Sequence, residues 1–251
     1  MCLVAVAWRA HPRYPLIILG NRDEMHQRPT AAATWWADHP QVLGGRDLVA
    51  GGSWLAVSRS GRFAVVTNNP RRRPGPGRDL SRGQLVAGFV AGQQPSGRFL
   101  DAVQVEEARY AGFRLLVGTR VQVRGLVCPP SRLPGRWTLG AGVTVVSNSS
   151  WQQPWPKVRH LEQALADALA AATPTAGQLL ALLEQRDPLP VAAGDDTSMA
   201  GRLPFIVGDE FGTRASTLIT MDAGGNCSFI ERRFDAQGGL QGETTMDFAL
   251  E

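Results

Sequence analysis

Lysine is nearly absent from this chain: of 26 basic residues, only Lys157 is one. Cysteine is scarce too. Cys2, Cys128 and Cys227 lie far apart with no CxxC spacing, which argues against a zinc site, and an odd count argues against a disulfide framework. The pattern suits a reducing compartment, so the expected location is cytoplasmic. No apolar run approaches the roughly 20 residues that a spanning helix needs, so no integral membrane association is expected. The start, Met1 to Trp8, is apolar but short, is interrupted by Arg9, His11, Pro12 and Arg13, and has no basic n-region, so no signal peptide is expected. His11, His26, His39 and His160 form no cluster, and Asp195-Asp196 has no further ligands at suitable spacing, so neither metal nor cofactor is expected. The net charge of +4 comes from scattered arginines rather than a stripe on one helix, which speaks against nucleic acid. Arg71-Arg72-Arg73, followed by Pro74-Gly75-Pro76-Gly77-Arg78, reads as a solvated loop. Gly44-Gly45 and Gly51-Gly52 lack the lysine and helix context of a phosphate loop.

What is present supports a sizeable core. At 251 residues and 43% hydrophobic content, one domain over 1–251 is expected, without repeat or dividing linker. Strands are predicted at Cys2 to Trp8 and Leu16 to Gly20, then at Ser53 to Ser58 and Arg62 to Thr67 around a Ser60-Gly61 turn. A helix follows over Ser81 to Ala91, with Ser81 as N-cap. Strands return at Phe113 to Gly118, Val121 to Cys128 and Val143 to Asn148. Helices are predicted at Pro156 to Ala172 and Thr175 to Gln185. The chain closes on strands at Arg214 to Met221, Cys227 to Arg232 and Thr244 to Ala249, the first two joined by a turn over Asp222 to Asn226. Trp35-Trp36 reads as packing. Strands, then helices, then strands, without βαβ alternation, give an α+β class.

Two segments carry chemistry. Cys2 would become the first residue once Met1 is removed, and its thiol and free α-amine would then share one residue. An α-amino group with a pKa near 8 can serve a nucleophile as base. A cysteine at the edge of a buried strand is more often inert packing. Asn21-Arg22-Asp23-Glu24 follows an apolar strand and can be read simply as that strand running out into a turn. If the strand continues, Asn21 and Asp23 share one face and Arg22 and Glu24 the other. A carboxylate would then hold the α-amine, and a guanidinium would favour thiolate.

Met1-Cys2 with its apolar strand, Asn21-Arg22-Asp23-Glu24 and Arg28-Pro29 resemble the NRDE family, whose eukaryotic members are called transport and Golgi organization protein 2. Further matching words are Gly51-Gly52-Ser53-Trp54-Leu55-Ala56-Val57, Thr67-Asn68 and Ser81-Arg82-Gly83-Gln84-Leu85-Val86. Gly112-Phe113, Ser147-Asn148, Pro154-Trp155-Pro156-Lys157-Val158 and Gly212-Thr213-Arg214-Ala215-Ser216-Thr217 complete the set. The resemblance spans essentially the whole chain. It implies an α+β fold, a four-layer αββα N-terminal-nucleophile (Ntn) hydrolase-like sandwich with two mainly antiparallel sheets.

By the same resemblance, the site residues are Cys2, Arg22, Asp23, Asn68, Asn148 and Arg214. In the related hydrolases two residues separate the early arginine and aspartate; here they are adjacent. On a regular strand they point opposite ways, which makes Asp23 the safer partner of Cys2 and Arg22 the less secure. The implied reaction is attack of the Cys2 thiolate on an amide or acyl carbonyl, with the α-amine shuttling the proton. Asn68 or Asn148 would donate to the oxyanion, worth up to ~3 kcal/mol per donor. Arg214 would hold a substrate carboxylate or help to set the thiol pKa. The partner is then a small molecule with an apolar or acyl part. The rival reading is a non-catalytic binding or trafficking protein for haem or a lipid or acyl-CoA, in which Cys2 itself could be a thiolate ligand.

Overall fold

The computed structural model describes residues 2–130, 135–149, 153–171, 173–195 and 197–251. The chain forms two compact units: Met1–Gln27 with Gly140–Phe248, and Arg28–Leu139 with Ala249–Glu251.

The first unit is built on a six-stranded sheet. In chain order its strands are β1 (Cys2–Trp8), β2 (Leu16–Met25), β10 (Gly142–Val146), β11 (Phe211–Met221), β12 (Asn226–Phe234) and β13 (Leu240–Ala249), and across the sheet they run β10-β1-β2-β11-β12-β13. The ladders joining β10, β1, β2, β11 and β12 are antiparallel. Alternation sends Leu3, Ala5 and Ala7 of β1 and Ile17 and Leu19 of β2 to one face. There they meet Val158, Leu161, Leu165 and Leu169 of α3 (Pro156–Ala171) and Leu179 and Leu180 of α4 (Ala176–Ala181). The apolar positions of α3 recur at three- and four-residue steps, the stripe that a helix lays on a sheet.

The second unit is a seven-stranded antiparallel meander. Its strands follow chain order: β3 (Thr30–Trp35), β4 (Val42–Asp47), β5 (Leu55–Ser58), β6 (Phe63–Asn68), β7 (Phe113–Gly118), β8 (Val123–Cys128) and β9 (Arg136–Thr138). Leu85, Val86, Phe89 and Val90 of α1 (Arg82–Ala91) and Leu100 and Val103 of α2 (Ser96–Val105) pack into a core with Ala64, Val66, Leu115 and Leu126 of the sheet. Ser81 caps α1 by accepting from the Gly83 N–H, as its place before the apolar run predicts. One short further helix, α5 (Met199–Arg202), belongs to the first unit.

Several boundaries differ from expectation for physical reasons. β2 does not run out at Gly20 but continues through Asn21-Arg22-Asp23-Glu24 to Met25, paired on both sides. The helix predicted over Thr175 to Gln185 stops being α-helical at Ala181. The Leu183 carbonyl is taken instead by Asn21 Nδ2 at 2.8 Å, a tertiary bond that competes with continuing the helix. β3, β4 and α2 have no counterpart in the sequence reading. β4 runs through Gly44-Gly45, where a Cβ on Gly44 would lie 2.9 Å from the Leu55 carbonyl oxygen. α2 opens on Pro95-Ser96-Gly97, which reads as a turn. The Ser60-Gly61 and Asp222 to Asn226 turns form as read, the latter held by Asp222. Trp36 is buried and donates to the Gly44 carbonyl, and Arg72 of the basic loop donates to the Glu107 carbonyl.

Among the described residues no helix is long and apolar enough to cross a membrane, and no group of three His, Cys, Asp or Glu side chains could hold a metal. Asp195 is bonded to Arg159 and to the Ala192 N–H; Met1, Ala172 and Asp196 lie outside the described residues.

The Gly51-Gly52 word has a steric explanation. Gly51 takes φ +71°, and a Cβ on Gly52 would stand 2.3 Å from the carbonyl carbon of Gly83 in the first turn of α1. Gly52→Ala must therefore push the β4–β5 loop away from α1. The expected cost is about 1–3 kcal/mol, the range for overpacked sites, read as a lower urea midpoint with an unchanged slope.

Candidate functional site

The site grows from the register of three neighbouring strands. Cys2 stands directly across from Arg22 in the β1–β2 ladder, and Leu3 across from Asn21. Directly opposed residues of an antiparallel pair project to the same face. The Cys2 and Arg22 side chains therefore share one face, while Asn21 and Asp23 share the face that carries α3 and α4. Alternation along β2 is preserved, so the adjacency of Arg22 and Asp23 is resolved by using both faces of the sheet. Arg22, the less secure partner on sequence grounds, is the residue opposite Cys2. The Asp23 backbone lowers the Cys2 thiol through hydrogen bonding, while its carboxylate raises it.

Each member of the tetrapeptide has a distinct job. Asn21 is fully buried, accepts from Ser216 Oγ at 2.6 Å and donates to the Leu183 and Pro204 carbonyls at 2.8 and 2.9 Å. It ties the segment after α4 to the sheet. Arg22 is buried with its Nη2 3.7 Å from Glu24 Oε2, two residues along on the same face. Asp23 Oδ1 accepts from Thr213 Oγ1 at 2.8 Å. The ladder between β11 and β2 shifts between Thr213 and Ala215, leaving Arg214 as the extra residue of a bulge. Arg214 Nη1 donates to the Met25 and His26 carbonyls at 3.2 and 2.8 Å and so anchors the end of β2.

The other neighbour of β1 supplies Asn148, just beyond β10 and buried. Its Oδ1 accepts from the backbone nitrogen of Cys2 at 3.3 Å. The first unit thus brings together Cys2, Arg22, Asp23, Asn148 and Arg214 at one end of its sheet. Asn68 belongs to the second unit, where it ends β6 opposite Phe113 and its carbonyl accepts from Arg114 Nη1 at 3.3 Å.

Lys157, which the sequence reading passed over as a site residue, lies against this cluster. It is the second residue of α3, its side chain is 0% exposed, and its Nζ is 3.9 Å from Asp23 Oδ2, itself on a 0% exposed side chain. Its ammonium faces the Trp155 ring at 5.5 Å and has no hydrogen-bond acceptor among the described residues. Two signals could have marked it: the chain uses lysine nowhere else, and Lys157 stands in the matching word Pro154-Trp155-Pro156-Lys157-Val158.

Charge and burial oppose one another here. Burial pushes the Cys2 thiol up, the Asp23 carboxylate adds to the rise, and Arg22 pulls it down. Burial likewise raises Asp23, against the attraction of Lys157 and the Thr213 hydrogen bond. Burial lowers Lys157, opposed by Asp23 and then by Cys2. Arg214 is lowered by burial and by Arg22, with Glu24 opposing. The thiol, carboxylate and ammonium form one coupled set.

Comparison with known proteins assigns the lineage. The profile of the family described as Transport and Golgi organisation 2 matches residues 1–236. The chain belongs to this family. It is 29% identical over 278 residues to the Transport and Golgi organization 2 homolog of Mus musculus, covering 100% of both chains. The Bos taurus member of the family is 30% identical over 276 residues, with 98% of this chain and 97% of that one covered.

Solved structures are similar in fold. One is an N-acylethanolamine-hydrolyzing acid amidase ortholog of Caenorhabditis elegans, with a TM-score of 0.50 at 11% identity, over 87% of this chain and 92% of that one. Another is the mutant C2A conjugated bile acid hydrolase of Clostridium perfringens, with a TM-score of 0.52 at 8% identity, over 99% and 92%. The fold is therefore the α+β fold of the Ntn hydrolases, built here from two antiparallel sheets with their helices.

The buried pair makes a stability prediction. Lys157→Met leaves the Asp23 carboxylate buried without its cation, and breaking such a pair costs about 3–5 kcal/mol. The double variant Asp23→Asn/Lys157→Met removes both desolvation costs and is expected to recover most of that loss, as measured by chemical denaturation.

Proposed function

We propose that this chain is an N-terminal-nucleophile amidase or acyl-transfer enzyme that uses Cys2 after removal of Met1. The observation that carries the reading is the bond from the Cys2 nitrogen to Asn148 Oδ1 at 3.3 Å, with Arg22 across the ladder from the same residue. Loss of Met1 would turn that nitrogen into an α-amine already held by a side-chain acceptor, beside the thiol it must serve as base. The fold likeness to an amidase and a bile acid hydrolase supports a hydrolase of small amide substrates.

In this reading the α-amine takes the thiol proton, and the Cys2 sulfur attacks the acyl carbonyl. The amine then returns the proton to the leaving nitrogen, and water or another acceptor releases the acyl group from sulfur. The Arg22 guanidinium stabilises the thiolate, and the Asp23 backbone lowers the thiol through hydrogen bonding. Asn148 is the proposed polar partner of the amine, and Arg214 a positive group for an acidic part of the substrate. The partner is a small molecule with an apolar or acyl part, and the site requires neither metal nor cofactor.

The test is intact mass of the purified protein with and without iodoacetamide. Met1 is expected to be absent, with one carbamidomethyl group added rapidly at Cys2 and none in Cys2→Ala. Cys128 and Cys227 are buried, their thiols pushed up to about 12, and are expected to stay unmodified at neutral pH. Arg22→Gln removes a charge that lowers the Cys2 thiol, so the midpoint of its pH–rate profile rises. Below that midpoint, labelling slows about tenfold for each pH unit of the rise. Retained Met1, together with no hydrolysis across a panel of N-acyl amides, would favour the binding protein instead.

A further inference from the structure

Lys157 is a costly residue for the fold to keep. A fully buried ammonium forfeits its hydration, and one at the second position of a 16-residue helix also sits at the positive end of the helix dipole. It gains no hydrogen bond among the described residues, only Asp23 Oδ2 at 3.9 Å and the Trp155 ring at 5.5 Å. Everywhere else the chain uses arginine, a cation that stays charged in any environment. A cation needed only to pack against Asp23 would be better replaced by an apolar side chain together with a neutral partner. What lysine offers here is a compact charge, responsive to its surroundings, placed beside a carboxylate whose strand neighbour, Arg22, stands opposite Cys2.

We propose that Lys157 is a positioning residue for the Cys2 nucleophile: its buried ammonium compensates the Asp23 carboxylate, so that the thiolate of Cys2 forms beside a neutral pair instead of beside a lone buried negative charge. The proposal rests on the nucleophile reading of Cys2 given above. The charged groups around the set are Cys2 from β1, Arg22, Asp23 and Glu24 from β2, and Arg214 from the β11 bulge, with Lys157 itself from α3. Without Lys157, Asp23 either stays ionised and repels the thiolate or takes up a proton. In the first case thiol reactivity moves to higher pH. In the second Asp23 loses its charged hydrogen bond from Thr213. The coupling is reciprocal: a thiolate at Cys2 must favour the ammonium form of Lys157 by the same factor.

The experiment exploits the single lysine. The full chain is grown with lysine carrying ¹³C at Cε, which gives one resonance whose position against pH reports the ionisation of Lys157 directly. That titration is expected below the ordinary lysine value of 10.5 and to move lower still in Cys2→Ala and in Asp23→Asn, each of which removes a negative partner. In parallel, the rate of Cys2 carbamidomethylation is followed against pH by intact mass. Lys157→Met is expected to slow it about tenfold at neutral pH, and Asp23→Asn/Lys157→Met to restore it to within about twofold of the unmodified chain, because a thiol midpoint one pH unit higher leaves about a tenth of the thiolate.

A lysine resonance whose midpoint is the same with and without Cys2, or a Cys2 profile that neither the single nor the double variant moves, overturns the proposal. The resonance measurement needs only the folded native chain and Cys2→Ala, so it decides the matter even where Lys157→Met does not fold. Failure of the enzyme reading has a different signature: retained Met1 and no amide turnover.

Discussion

The first unit depends on one strand, β2, staying regular through a run of four polar residues. A chain entering Asn-Arg-Asp-Glu from Leu-Ile-Ile-Leu-Gly would ordinarily leave the sheet, because each buried polar group must find a partner or cost stability. Here β1 and β11 supply backbone partners on both sides, and each side chain is matched individually. Asn21 satisfies two carbonyls beyond α4, Arg22 meets Glu24, and Asp23 meets Thr213 and Lys157. Because the strand does not break, its two faces present different chemistry. The helix-covered face holds the Asp23–Lys157 pair, and the other carries Arg22 next to the Cys2 thiol.

The bulge at Arg214 follows from the same constraint. With β2 regular, β11 absorbs the mismatch by inserting one residue between Thr213 and Ala215. That lets Thr213 face Asp23 while Ala215 pairs with Arg22, and it turns the Arg214 guanidinium toward the carbonyls that end β2. A single irregularity thus serves a carboxylate on one side and closes a strand on the other.

Much of this was legible in the sequence. The apolar runs of β1, β7 and α3, the Ser81 cap and the Ser60-Gly61 turn follow from local rules of alternation, helical spacing and turn chemistry. The matching words marked the family. Features set by long-range partners were not legible. Nothing within ten residues of Asp23 announces Thr213 or Lys157, which arrive from 190 and 134 positions away in the chain. The extension of β2 depends on two flanking strands, and the early end of α4 on a side chain of β2. β4 and α2 were hidden because their glycines and proline mimic turns while serving close approach and helix entry.

The single buried lysine has a consequence for the surface. A folded exterior that carries positive charge only as guanidinium presents no lysine ε-amine to acylating, alkylating or cross-linking reagents, and none as an acceptor for isopeptide attachment. Lysine modification of this chain is therefore gated by opening of the α3–sheet packing, which makes it a chemical clock for local unfolding rather than a map of the surface.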